Sequence, residues 1–190
     1  MSVIFNKFGF YKVNLEYIKY LYSKDRQVFY DNNSSNYNRK PYLGLITQLG
    51  KFTYCLPLTS AKERQLQWKN VTEHNYLIYE FVNFSEIYSS DVYKRISNTD
   101  ICKKLLAILE IRKMIPVNKD LCEYINFSNE KDIKYKALLE KEYNFLKPFR
   151  NDILYKADVL YNKQINTNII KSCYCNFKLL ENAFLSYISK

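Results

Sequence analysis

Two apolar runs, 42–47 and 52–56, are rich in aromatic and aliphatic residues and are separated only by Gln48-Leu49-Gly50-Lys51, a pattern that predicts a β-hairpin. This pair constrains the fold more than any other stretch, because an isolated hairpin is not stable and must be built into a larger sheet. Pro57 cannot donate to a strand ladder, so the second strand is expected to end there. The chain then runs into Leu58-Thr59-Ser60-Ala61-Lys62, which sets two hydroxyls and a lysine at the end of an apolar pair.

Around the hairpin, 10–13 reads as a short strand, and Asn14 as the cap of a helix through Tyr17, Ile18 and Leu21. Residues 23–39 read as a long surface loop, and 61–75 as a loop or irregular helix. Further strands are expected at 76–82, more weakly at 87–93, and at 108–115 with Pro116 closing a bend; 103–109 also admits a helix. From residue 132 the period changes. Ile133, Leu138, Leu139, Tyr143 and Leu146 approximate helical spacing, Pro148 interrupts, and 149–160 and 177–188 give two more helices. A strand-rich part (about 9–117) followed by a helical part (about 132–190) is an α+β pattern around one core, expected to form one domain over 1–190.

A chain of 190 residues with 47% hydrophobic content can bury a substantial core. It contains no 18-residue apolar run and no signal-peptide core, so a cytoplasmic protein is expected. The five cysteines are scattered, and Cys173-Tyr174-Cys175 lacks the two-residue gap usual in zinc sites; reduced thiols are expected. The excess of 29 Lys+Arg over 19 Asp+Glu gives a net charge of +10, a field that attracts polyanions. Solubility, or an AT-rich genome favouring lysine, would produce the same count. Most of the 19 Tyr and 12 Phe are core material, leaving a minority to stack on bases.

The chemistry is narrowed by what is missing. His74 is the one histidine, which excludes a two-histidine acid–base ribonuclease, and three glycines leave no Walker loop. Carboxylates are dispersed, so no metal and no cofactor are expected. What remains is the loop after the hairpin. RNA is cut without a metal when its 2′-hydroxyl attacks the neighbouring phosphate. That reaction needs a proton acceptor, cations on the phosphorane and a donor to the leaving oxygen. In an extended segment Ser60 and Lys62 share one face while Thr59 points the other way. Lys40 precedes the first hairpin strand, and the antiparallel return carries that end towards Thr59 and Ser60. The plain alternative is an ordinary polar loop beside an ordinary lysine.

An ordered set of motifs weighs against that alternative. Lys40-Pro41-Tyr42-Leu43-Gly44, Tyr54-Cys55-Leu56-Pro57-Leu58-Thr59-Ser60-Ala61-Lys62 and Lys113-Met114-Ile115-Pro116-Val117 resemble the ToxN/AbiQ family, toxins of type III toxin–antitoxin systems. The likeness continues through Tyr135-Lys136-Ala137-Leu138-Leu139, Lys156-Ala157-Asp158-Val159-Leu160-Tyr161 and Cys175-Asn176-Phe177-Lys178-Leu179-Leu180-Glu181. The resemblance implies an SH3-like antiparallel barrel related to the MazF/Kid/CcdB toxins, with added helices. It also implies a metal-independent endoribonuclease that leaves a 2′,3′-cyclic phosphate, acts in abortive infection against phage and is inhibited by a small RNA pseudoknot. Its RNA partners would be that antitoxin, within closed protein–RNA assemblies, and substrates that include mRNA and the antitoxin precursor; no membrane is involved. The family's catalytic positions fall on Thr59, Ser60, Lys62 and Lys40, with Tyr37 nearest to its active-site tyrosine. Tyr37, Arg39, Lys147, Arg150, Lys156 and Asn176 are the expected RNA-binding residues. Residues 64–97 form a longer segment than in compact members, so contacts there do not carry over. A non-catalytic RNA-binding protein of the same fold is the main alternative. A DNA-binding regulator is disfavoured, since no helix-turn-helix pattern with its glycine turn is present.

Overall fold

The structure, a computed structural model, describes residues 8–30 and 43–189. Tyr37, Arg39 and Lys40 lie outside the described residues. The strands are β1 Tyr11–Val13, β2 Leu43–Leu49, β3 Phe52–Ser60, β4 Asn75–Asn83, β5 Val92–Arg95, β6 Ile101–Glu110, β7 Ile115–Val117 and β8 Cys122–Tyr124. The helices are α1 Leu15–Lys24, α2 Ile133–Leu146, α3 Arg150–Thr167 and α4 Phe177–Ile188. All pairings are antiparallel, in the order β4-β6-β3-β2-β1-β8, with β5 added to β6 and β7 to β3. The result is an α+β fold in which the curled sheet forms a half-barrel closed by the C-terminal helices.

The hairpin is present with a tighter turn than its spacing suggested: Leu49 pairs with Phe52 across Gly50 and Lys51. Gly50 has φ +55°, a conformation that side-chain-bearing residues rarely adopt. Gly44 answers a different need. A Cβ there would run into Cys55 Sγ and the Leu56 carbonyl, so glycine lets β2 lie tight against β3.

Pro57 does not end its strand. β3 continues to Ser60 by changing partners: Phe52 to Pro57 pair with β2, Thr53 to Cys55 also with β7, and Leu58 to Ser60 with β6. The edge shared by β7 and β6 has no pairing at Leu56 and Pro57, so the missing N–H falls at the changeover.

The ambiguous stretch at 103–109 is strand, not helix, because β6 is paired with β4 over Ile101 to Glu110 and with β5 and β3 on its other edge. The strand expected over 108–115 is split by a 3-10 turn, Ile111–Lys113, before β7. The expected strand at 87–93 shifts to β5, since Tyr88 and Asp91 close a turn through the Asp91-to-Tyr88 backbone bond at 3.0 Å. β8 was not legible in the pattern.

Asn14 caps α1, its side chain accepting from Tyr17 N–H at 3.0 Å, a contact worth about 1 kcal/mol. Asp132 caps α2 in the same way. Pro148 does not separate α2 from α3 by a loop: it sits in a 3-10 turn, Lys147–Phe149, that leads straight into α3. There its lack of an N–H is tolerated as in a first helical turn. α3 then runs seven residues past the expected end, to Thr167, and stops at Asn168 in a left-handed conformation with φ 53°.

The main core joins the sheet to all four helices, with Phe10, Tyr17, Tyr54, Tyr76 and Phe177 fully buried. A single carboxylate ties three elements together: Glu181 on α4 accepts from Tyr54 Oη at 2.8 Å and Tyr161 Oη at 2.9 Å. Burial first, then Glu181, pushes the Tyr161 hydroxyl up to about 12, and Tyr54 rises further for the same reasons. A smaller cluster, Leu77, Leu105 and Ile108, lies on the other face of β4 and β6.

Candidate active site

The alternation of β3 decides how the loop's side chains are presented. Thr59 pairs with Ile108 and Ser60 with Ala107. Ile108 belongs to the smaller cluster, on which Ala61 also packs together with Leu66 and Trp68. Ala107 belongs to the main core. Thr59 and Ala61 therefore face the small cluster, while Ser60 and Lys62 turn towards the face that carries the main core. Both are exposed at its rim rather than sealed inside.

Beyond Lys62 the chain enters the 3-10 turn Glu63–Gln67, and here a residue missed at the sequence level becomes important. The Gln65 amide is buried at 3% exposure. Its side-chain oxygen accepts the Lys62 N–H, and its own N–H donates to the Lys62 carbonyl at 3.0 Å. The backbone of Lys62 is thus held from both sides in an extended conformation (φ −133°, ψ 154°). The signal was visible as a glutamine at the third position of a polar turn, a residue able to reach back to the backbone at the turn's start.

The same sheet face carries a second polar group. Tyr76 pairs with Leu109, which pairs with Leu58, two residues before Ser60. The Tyr76 hydroxyl contacts Asp152, and Lys156 Nζ reaches Asp152 Oδ2 at 2.7 Å and Tyr76 Oη at 2.9 Å. Lys156 first, then Tyr76, holds the Asp152 carboxyl below its ordinary range, while burial and Asp152 push the Tyr76 phenol up. The charge of Lys156 is therefore engaged in fixing α3 to β4, with its side chain 21% exposed.

The other expected RNA-binding residues are dispersed. Lys147 is exposed at the α2–α3 junction, and the Arg150 guanidinium lies 5.7 Å from the centre of the Phe8 ring. Asn176 caps α4, its side-chain oxygen accepting from Leu179 N–H at 3.1 Å and its own N–H donating to Asp25 Oδ2 at 2.7 Å. His74 bonds the Tyr174 hydroxyl through Nδ1 at 3.1 Å, and burial followed by Arg112 lowers its pKa. Among the described residues, no group of three or more His, Cys, Asp or Glu side chains converges as a metal-binding set, and no helix is long and apolar enough to cross a membrane.

Comparison with known proteins places this architecture. The chain is 25% identical over 178 residues to Endoribonuclease ToxN of Pectobacterium atrosepticum, a match covering 94% of this chain and 92% of that protein. Endoribonuclease ToxN of Bacillus thuringiensis subsp. kurstaki is 24% identical over 188 residues, covering 94% and 83%. Among solved structures, a type III toxin inhibited by a non-coding RNA pseudoknot superposes with TM-score 0.70 at 20% identity, over 95% of this chain and 98% of that one. AbiQ, a lactococcal anti-phage endoribonuclease, superposes at 0.68 with 21% identity, over 97% and 100%. These structures share the fold. The family model for the toxin ToxN of type III toxin–antitoxin systems matches residues 9–185, nearly the whole chain, and the protein belongs to that family.

Proposed function

We propose that this protein is the endoribonuclease toxin of a type III toxin–antitoxin system that acts against phage, cutting RNA without a metal and held inactive by a small structured RNA. The observation that carries the reading is the joint presentation of Ser60 and Lys62 on one exposed rim of the sheet, in a chain of net charge +10. The related toxins are endoribonucleases by name, and one of the similar structures is inhibited by an RNA pseudoknot.

In the proposed reaction the ribose 2′-hydroxyl loses its proton and its oxygen attacks the adjacent phosphorus. The bond from phosphorus to the 5′-oxygen breaks, and that oxygen takes up a proton, leaving a 2′,3′-cyclic phosphate and a 5′-hydroxyl. Lys62 places an ammonium on the phosphorane oxygens and Ser60 hydrogen-bonds the same group; Lys40 binds an adjacent oxygen, while Thr59, turned to the other face of β3, contributes only to binding the neighbouring part of the RNA strand. Fixed donors aimed at developing charge lower the barrier more than mobile water does. The protein would act in the cytoplasm, on mRNA and on the antitoxin precursor, and would join the antitoxin in a closed protein–RNA assembly.

The test is cleavage of mixed RNA by purified protein in EDTA, followed by end-group analysis. Cyclic phosphate and 5′-hydroxyl ends are expected. Cleavage that vanishes with chelator overturns the metal-free mechanism, and tight binding without any cleavage favours the non-catalytic alternative.

Gln65 enters this reading as a positioning residue. Gln65→Ala removes the side-chain acceptor of the Lys62 N–H while keeping the backbone bond to the Lys62 carbonyl, and is expected to lower kcat about 10-fold, because displacement of a charged donor by about 1 Å is costly. KM for RNA should change little. Gln65→Glu keeps the acceptor oxygen and should recover part of the loss in steady-state assays, which a general loss of folding would not permit.

A further inference from the structure

The outer ends of β4 and β6, together with β5, form a three-stranded ribbon carrying four cations in two different situations. Arg95 is paired with Asp100 at 2.6 Å and Lys104 with Asp91 at 2.9 Å. Lys94 and Lys103 stand directly opposite each other across β5 and β6, and among the described residues neither meets a carboxylate. Like charges in directly opposed positions destabilise an antiparallel pair. Burial first, and Lys94 second, lowers the pKa of Lys103.

The same cross-strand row continues to an open aromatic ring. Lys103 is paired on its other side with Phe81, whose side chain is 59% exposed on β4. Lys103 Nζ bonds Asn70 Oδ1 and lies 4.3 Å from the centre of the Tyr79 ring, which meets Phe81 edge-on at 5.5 Å. One row of the sheet therefore reads Phe81, Lys103, Lys94: an exposed stacking surface followed by two cations without counter-charges. Interleaved aromatic and cationic groups of this kind suit an unpaired nucleic-acid strand, which offers a π-face and a phosphate at every step. A bound phosphate would also relieve the repulsion between the two lysines.

We propose that this row binds an unpaired segment of RNA, Phe81 stacking a base while Lys103 and Lys94 hold flanking phosphates. The inference rests on the ribonuclease reading and adds to it a second contact for RNA, on the segment 64–97 and the strand that follows.

The experiment is fluorescence anisotropy with a labelled 2′-O-methyl oligoadenylate of twelve residues, which cannot be cut by 2′-hydroxyl attack. Phe81→Ala should weaken binding about 10-fold, the scale of one lost base stack. The Lys94→Ser/Lys103→Ser double variant should reduce the slope of log affinity against log salt by about 1.4, or about 0.7 per phosphate contact. Lys94→Ser should at the same time leave Tm unchanged or raise it, since a repulsion is removed; a merely structural lysine would give the opposite sign. Binding of an RNA hairpin with no unpaired flank should be insensitive to Phe81→Ala. Wild-type protein that ignores the oligonucleotide would overturn the RNA reading itself. Wild-type binding that all three variants leave unchanged would overturn this inference alone. So would a Phe81 effect confined to the hairpin, or one seen only as altered self-association in sedimentation.

Discussion

Ser60→Ala and Lys62→Ala are each expected to reduce RNA cleavage in EDTA by about two to three orders of magnitude, the loss typical when one fixed donor to a developing oxyanion is removed. Both are also expected to abolish growth inhibition on expression. Stability should move by no more than about 0.5 kcal/mol, because both side chains are exposed and neither fills the core. The geometry explains why the two should behave alike. They share one side of an extended segment whose opposite side is anchored by Ala61 on the small apolar cluster and whose Lys62 backbone is clamped by Gln65. Thr59 pairs with Ile108 on the other face, so Thr59→Ala should give a smaller loss than Ser60→Ala. Single-turnover rates on one defined RNA would check the ranking. Full cleavage by Ser60→Ala and Lys62→Ala would remove both residues from the mechanism.

The parts of the fold that were legible are those where local pattern and tertiary pairing agree. The hairpin around Gly50, the Asn14 cap and the helix at 177–188 are each specified by residues close together in the chain. The parts that misled depend on partners far away in sequence. Pro57 reads as a stop until β3 is seen to change neighbours at that point, and β6 reads as helix or strand until β4, β5 and β3 pair with it. β8 is three residues long and exists because β1 offers it an edge. The site follows the same division. The shared face of Ser60 and Lys62 follows from spacing alone. The Gln65 clamp needs a turn to bring it back, and the Tyr76–Asp152–Lys156 group needs a helix laid on a strand some 80 residues earlier. Lys156 was expected to meet RNA on charge alone, and its engagement with Asp152 could not be weighed without α3 docked on β4.

Glu142 is expected to make the fold less stable as pH rises from about 4.5 to about 7. It lies on the buried side of α2 with Leu139 and Leu146, 5% exposed, and among the described residues no cation pairs with it. Burial pushes its carboxyl up to about 7 from an ordinary 4.5. A folded-state value above the unfolded one means the native chain holds the proton more tightly across that window. The unfolded chain then binds fewer protons than the native one, so the unfolding free energy falls with pH and levels off above about 7. At roughly 1.4 kcal/mol per unit the full effect approaches about 3 kcal/mol. The nearby Tyr135 hydroxyl, buried and without a hydrogen-bond partner, does not offset this cost. Glu142→Gln stays neutral at every pH and resembles the protonated acid in shape. It should match wild type in urea unfolding near pH 4.5 and exceed it by about 2–3 kcal/mol at pH 8, a gain of roughly 2–4 °C in Tm per kcal/mol for a chain of this size. Parallel stability profiles for the two proteins from pH 4.5 to 8 would show that the carboxyl ionises with the same ease folded and unfolded, and would rule out this account of α2.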